Sequence, residues 1–122
     1  MSGGKLINQH SIAAGMIADI VTGIQTARIH YLTLGYMRLH PEIYGPPTSD
    51  IMVSRGQMVK VYGAEMANRC LPLCMQLMGS YGYARENHVE KYWRDAGELL
   101  LWLGGMQVSR FAICKGYYDL DL

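Results

Sequence analysis

Residues 12–34 read IAAGMIADIVTGIQTARIHYLTL, and the spacing of their apolar positions decides the fold class. Ile12, Met16, Ile20, Ile24, Ala27, Tyr31 and Leu34 recur at intervals of three and four, which draws one stripe along an α-helix. A strand would alternate in twos. The helix is expected over residues 8–39 and stops at HPEIYGPP (40–47), where Pro41 restricts His40, and Pro46 and Pro47 cannot extend a helical hydrogen-bond ladder. That segment reads as a loop.

Working outward, TSD (48–50) offers three candidate N-cap side chains, and a second stripe follows at Val59, Tyr62, Met66, Cys70, Leu73 and Leu77. A second long helix is therefore expected over 50–78, bent near 68–72 because Pro72 lacks a backbone donor and crowds the preceding turn. GSYGY (79–83) breaks the pattern. A third helix is expected over 88–102, punctuated by Gly104 and Gly105, with a shorter fourth in MQVSRFAICKGYY (106–118). No stretch alternates in strand fashion over a useful length. The fold class is all-α, an up-down helical bundle of long antiparallel helices with short connections. Three and a half helices leave a four-helix bundle short, so the remaining one is expected from more chain or from another subunit.

Composition agrees and narrows the partners. The chain has 122 residues, half of them apolar, enough for one domain with a core that needs neither disulfides nor metal. Its formal net charge of +1 gives no basic field for a nucleic-acid backbone. No signal-peptide pattern opens the sequence, and no uncharged apolar stretch reaches the roughly 18 residues of a membrane span. Cys70, Cys74 and Cys114 are odd in number and not spaced as CxxC, which favours a reducing, cytoplasmic setting. Cys70 and Cys74, one helical turn apart, read as core. His10, His30, His40 and His88 have no partner at ExxH or HxxxH spacing, so no metal site is expected. GxSxG, HExxH, P-loop and GxGxxG patterns are absent, which removes hydrolase, zinc-protease and nucleotide-fold readings.

One block goes further: CMQLMGSYGYARENHVEKYWRDAGELLLWLGGMQVSR (74–110). Gln76, Gly79, Gly82 and Tyr83, then Val89, Glu90, Arg94, Asp95 and Ala96, then Gly104, Gln107 and Arg110, follow one another in the order of a flavoenzyme signature. Upstream, Ala18, Asp19, Ala27 and Arg28 fit its opening helix. The chain resembles the C-terminal helical domain of the acyl-CoA dehydrogenase family, whose members remove hydrogens from the α and β carbons of acyl-CoA thioesters.

The resemblance implies an N-terminal helical domain and a middle β-domain outside these residues, and assembly as a homo-oligomer, dimer or tetramer. It implies FAD lying between the middle domain and this bundle, with acyl-CoA as substrate and an electron-transfer flavoprotein as a possible partner. The cofactor-binding positions would be Gln76, Gly79, Ser80, Gly82, Gly105 and Gln107. A neighbouring subunit would offer the glycine turn to the adenine-pyrophosphate end. Gly79 and Gly82 suit a close approach of backbone to phosphate, and equally suit a plain helix cap and turn.

Counted from Arg94-Asp95-Ala96, the family's catalytic glutamate falls on Leu103, and the Gly-Thr that follows it falls on Gly104 and Gly105. Leucine has no lone pair and no titratable proton, so no residue of this chain is expected to be the catalytic base. Glu98, about 7 Å along a helix from that position and on another face, is a poor substitute. Some members of the family place the base on an earlier helix, which lies outside this sequence. Two readings stand: the C-terminal domain of an acyl-CoA dehydrogenase-like flavoprotein, either a piece or a shortened chain and inactive alone, or a non-catalytic assembly module that no longer binds flavin.

Overall fold

A computed structural model describes Gly4 and residues 6–118. Among the described residues there are six α-helices and two 3-10 turns, with no strand. Helix α1 (Ser11–Leu39) begins three residues later than the expected start at 8, because Ile7–Gln9 forms a separate 3-10 turn closed by the Gln9 side chain, whose Oε1 accepts from the Leu6 amide at 3.1 Å. It ends before Pro41, as the sequence predicts. The segment expected to be all loop contains one helical turn, α2 (Pro41–Tyr44), with Pro41 at its first position, where a missing amide hydrogen costs nothing.

Helix α3 (Asp50–Met78) starts on Ser49, whose Oγ accepts from the Met52 amide, and runs unbroken through Pro72. Gly79 closes it with φ +61°, and a single turn, α4 (Ser80–Tyr83), follows. Helix α5 (Val89–Leu99) ends earlier than the expected 102. The ladder tightens there to three-residue bonds, Leu100 N to Gly97 O and Leu101 N to Glu98 O, ahead of Leu103, Gly104 and Gly105, which all have positive φ and which a right-handed helix cannot pass through. Helix α6 (Gly105–Lys115) starts on the last of these three.

Antiparallel packing of α1 on α3 is fixed by paired positions: Gly23 lies against Met66 and Cys70, and Met37 lies beside Arg55. The buried face of α1 differs from the expected stripe. Ile12, Ile24 and Tyr31 are exposed, Ile12 at 76%, while Ala13 and Gly23 are buried and Met16, Ile20, Ala27 and Leu34 are partly covered. The helix is apolar nearly all round, so apolar spacing alone does not choose a face; the small residues do. A Cβ on Gly23 would sit 2.9 Å from Met66 Cγ, so this position sets how closely the two helices approach.

The chain after α3 then descends along it. Gly82 packs on Met75, Ala96 on Asn68, Trp102 and Ser109 on Lys60, Ile113 on Ser54 and Lys115 on Asp50. Helices α5 and α6 therefore form one antiparallel leg with a jog at 100–104, and α3 is the element all the others share. The core is thin and, Met52 apart, built from small groups: Ala13, Ser54, Ala64, Cys70, Ala96 and Ser109.

Large side chains lie outside it. The chain exposes 8502 Å². A compact monomer of its mass would expose roughly 6600 Å². Among the described residues, α1 is the one helix long and apolar enough to cross a membrane by length and composition; Asp19 and Arg28 interrupt it, and its small-residue face packs on protein.

Candidate functional site

The cofactor positions expected from the sequence fall into two groups that the fold does not bring together. Gln76, Gly79, Ser80 and Gly82 gather at the C-terminal end of α3 and in α4. Gly105 and Gln107 lie on the first turn of α6, beside Lys60. Sixteen residues of α3 separate Lys60 from Gln76, about 24 Å at the α-helical rise. Within one chain the two groups cannot line a single small pocket.

The first group has a built shape. Gly79 is exposed, with open space where a side chain would stand, and its left-handed conformation turns the chain out of α3. Gly82 is buried for a different reason: a Cβ there would lie 2.6 Å from the Met75 carbonyl oxygen and 2.7 Å from Met75 Cα. Of the two functions open to these glycines, Gly82 serves backbone packing, and Gly79 leaves backbone accessible. Gln76 and Ser80 are exposed, and the Gln76 amide makes no hydrogen bond with a described residue. Beside them runs an open groove of about 500 Å³, mostly apolar, between the start of α1 (His10, Ile12, Ala13, Met16) and Gln76–Gly79.

The second group surrounds the turn 100–104. Helix α5 ends there with carbonyls that have no intrahelical partner, and side chains from α3 supply donors. Asn68 Nδ2 donates to Ala96 O at 2.7 Å, and Lys60 Nζ donates to Trp102 O at 2.7 Å and to Ser109 Oγ at 2.9 Å. Ser109 in turn donates to Gly105 O at 3.1 Å. Leu103, the position matching the family base, follows Trp102 directly with φ +51° and is 66% exposed. Gln107 is exposed, its amide bonded to no described residue, and Gly105 is half-buried. Glu98 is exposed on α5, five positions before Leu103.

Several other residues of the signature have structural partners. Lys91 pairs with Asp95 at 2.6 Å and Arg94 with Glu90 at 3.1 Å, both one turn apart on α5. The Asp95 carboxylate holds the Lys91 ammonium above the usual lysine range. Ala96 is buried against α3, and Arg110 is ion-paired with Glu65. Burial, and then the neighbouring Cys70, push the Cys74 thiol up. Sequence reasoning missed Lys60 and Asn68. A lone lysine or asparagine within a long helix reads as solvated surface, and nothing in its spacing announces a contact to a distant carbonyl.

Comparison with known proteins places this geometry. The family model described as acyl-CoA dehydrogenase, C-terminal domain, matches residues 2–117. The chain is 32% identical over 119 residues to the 3-sulfinopropanoyl-CoA desulfinase of Variovorax paradoxus, covering 98% of this chain and 28% of that protein. It is 28% identical over 107 residues to the protein of the same name from Advenella mimigardefordensis, covering 88% of this chain and 24% of the relative. It is 26% identical over 110 residues to the caffeyl-CoA reductase-Etf complex subunit CarC of Acetobacterium woodii, covering 90% of this chain and 27% of that one. The chain thus spans about a quarter of the length of these relatives. No solved structure gives a significant match.

Proposed function

Since the chain belongs to the acyl-CoA dehydrogenase C-terminal domain family, we propose that it works as the C-terminal bundle of a flavoprotein acting on CoA thioesters, supplying subunit contacts and two separate parts of the FAD and acyl-CoA site. The observation that carries this is the separation of about 24 Å between Gln76 and the Lys60-anchored turn. A complete site then takes Gln76, Gly79 and Ser80 from one copy, and Gly105 and Gln107 from another. Gly82 keeps the first of these turns packed on Met75.

Bound flavin would supply the electron acceptor for chemistry at the acyl carbons. Gln76 and Gln107 have amides free to donate and accept, and the bared backbone at Gly79 suits an anionic group, so these residues fit such a cofactor. Leu103 holds no proton and takes none, so its part is to present an apolar wall and keep water from the reacting carbons. The proposal assigns no base to this chain.

The substrate class rests on the relatives' names, all of which contain a CoA thioester. The name of the Acetobacterium protein, a subunit of an Etf complex, supports an electron-transfer flavoprotein as partner. The free thiols Cys70, Cys74 and Cys114 fit a cytoplasmic setting.

The test is flavin retention by the purified chain after incubation with FAD, measured with its mass in solution. Two variants, Gln76→Ala and Gln107→Ala, should each weaken retention. Mixed after dissociation and reassociation, they should regain part of it, because mixed oligomers hold intact halves. Failure of every form to retain flavin, with the oligomer intact, sinks a flavin site built from this bundle without the middle domain. It would favour the second reading, a non-catalytic assembly module, which the missing acid at Leu103 and the exposed apolar face of α1 both support.

A further inference from the structure

The jog between α5 and α6 is crossed by one side chain. Lys60 reaches Trp102 O on the near side of the break and Ser109 Oγ on the far side, at 2.7 and 2.9 Å. Ser109 is 1% exposed and passes the connection on to Gly105 O, while the Gly105 amide closes back onto Trp102 O at 3.1 Å. These contacts form a closed circuit: Lys60, Trp102, Gly105, Ser109 and back to Lys60. Leu103 and Gly104 are the two residues it encloses.

The enclosed conformation needs such support. Leu103 has φ +51°, a region that side chains with a Cβ avoid, and its own side chain is mostly exposed and contributes little packing to hold it. Hydrogen bonds from a charged donor are the stronger kind, and an ammonium has three hydrogens to place, enough to serve both sides of the break. An arginine fork would offer the charge but not the same compact reach.

We propose that Lys60 is the positioning residue for residue 103, its ammonium fixing from both sides the turn that presents this position to the acyl group. The functional half of the statement rests on the reading above, in which the turn borders the CoA thioester site. The geometric half stands without it.

Amide hydrogen exchange on the purified 122-residue chain tests the geometric half, with circular dichroism and thermal melting as folding controls. In Lys60→Met, which keeps the apolar stem and loses the donors, the hydrogen-bonded amides of this turn, Leu101, Trp102 and Gly105, should exchange at least tenfold faster, while those of 20–30 in α1 stay unchanged. Lys60→Arg should recover part of the protection, and Ser109→Ala should fall between wild type and Lys60→Met. Unchanged exchange at Leu101, Trp102 and Gly105, or equal acceleration along the whole chain, overturns the proposal. Should Lys60→Met fail to fold, Ser109→Ala decides by the same criterion, since it removes only one arm of the circuit.

The functional half is read from binding of butanoyl-CoA, used as a probe, to the FAD-treated chain. Lys60→Met should weaken it about tenfold, with Lys60→Arg intermediate; binding equal to wild type overturns the functional half. A wild-type chain that binds no acyl-CoA refutes both that half and the site reading, while the exchange result still decides what Lys60 does to the turn.

Discussion

Asn68 and Ala96 are joined by a 2.7 Å hydrogen bond from the side-chain amide of one helix to the backbone carbonyl of another, and the same Nδ2 donates to Ala64 O at 2.9 Å. Both amide hydrogens are thus committed, one along α3 and one across to α5. This explains an asparagine at a mid-helix position that its propensity does not favour. Asn68→Ala should destabilise the fold by about 1–2 kcal/mol in a urea titration, because the Ala96 carbonyl, at the poorly satisfied end of α5, loses its donor. Asn68→Asp should cost more at neutral pH, where a carboxylate would face two carbonyl oxygens. Its deficit should shrink as pH falls through the carboxylate range and the acid gains a proton to donate. A deficit independent of pH would contradict this account.

The two glycines of the turn after α3 should respond differently to alanine. Gly82→Ala pushes a methyl into the Met75 backbone, which cannot step aside as a flexible side chain would, and should cost about 1–3 kcal/mol. Gly79→Ala meets open space but must hold φ +61° with ψ −139°, outside the left-handed helical basin and in a region that nearly excludes a Cβ, and should cost about 1–3 kcal/mol. Chemical denaturation should show both losses, and a Gly82→Ala variant as stable as the wild type would refute the packing role given to Gly82.

The Cys74 thiol, held above its ordinary range by burial and by Cys70, should react slowly with iodoacetamide at pH 8, with the midpoint of its pH–rate curve above that of the urea-unfolded chain. The sign for stability follows. The fold favours the protonated thiol, so this contribution is present below the unfolded thiol's pKa and is lost as pH rises through the higher folded value. Denaturation midpoints should therefore fall on the alkaline side, and Cys74→Ala should remove that part of the slope.

The outward face of α1 carries Ile17, Val21, Ile24 and Tyr31, all exposed and spaced to form one row. With roughly 1900 Å² more surface than a compact monomer of this mass, the chain has area enough for a standard interface. Val21→Glu combined with Ile24→Glu should lower the mass found by analytical ultracentrifugation while leaving helix content unchanged. An unaltered mass would move the subunit contact elsewhere.

Much of the fold was legible in the sequence where a single residue forces a local choice. Pro41 ends α1, Gly104 with Gly105 parts α5 from α6, and the cap of α3 falls on Ser49, one of the three candidates in TSD. The buried face of α1 was not legible, because a helix apolar on every side carries no rotational signal, and Gly23 acts through Met66 and Cys70, far away in sequence. For the candidate site, resemblance supplied the residues and the missing acid at Leu103. It did not reveal that Gln76 on α3 and Gln107 on α6 sit far apart in one chain, or that Lys60 and Asn68 hold the end of α5 and the turn after it, since spacing along the chain says little about distance in a folded one.

Within a single stretch of α3, Met66 and Cys70 meet α1 at Gly23 while Asn68 holds α5 at Ala96. Successive positions on a helix point about 100° apart, so residue 68 looks away from the side that 66 and 70 share. The surface offered to a second subunit and the turn carrying Leu103 are therefore separated by the widths of α1 and α3. A partner seated on α1 would be joined through α3 to the Lys60 and Asn68 anchors. Subunit association and the placement of position 103 would then be two readouts of one rigid body, and a change in either would be felt at the other without any rearrangement of the chain between them.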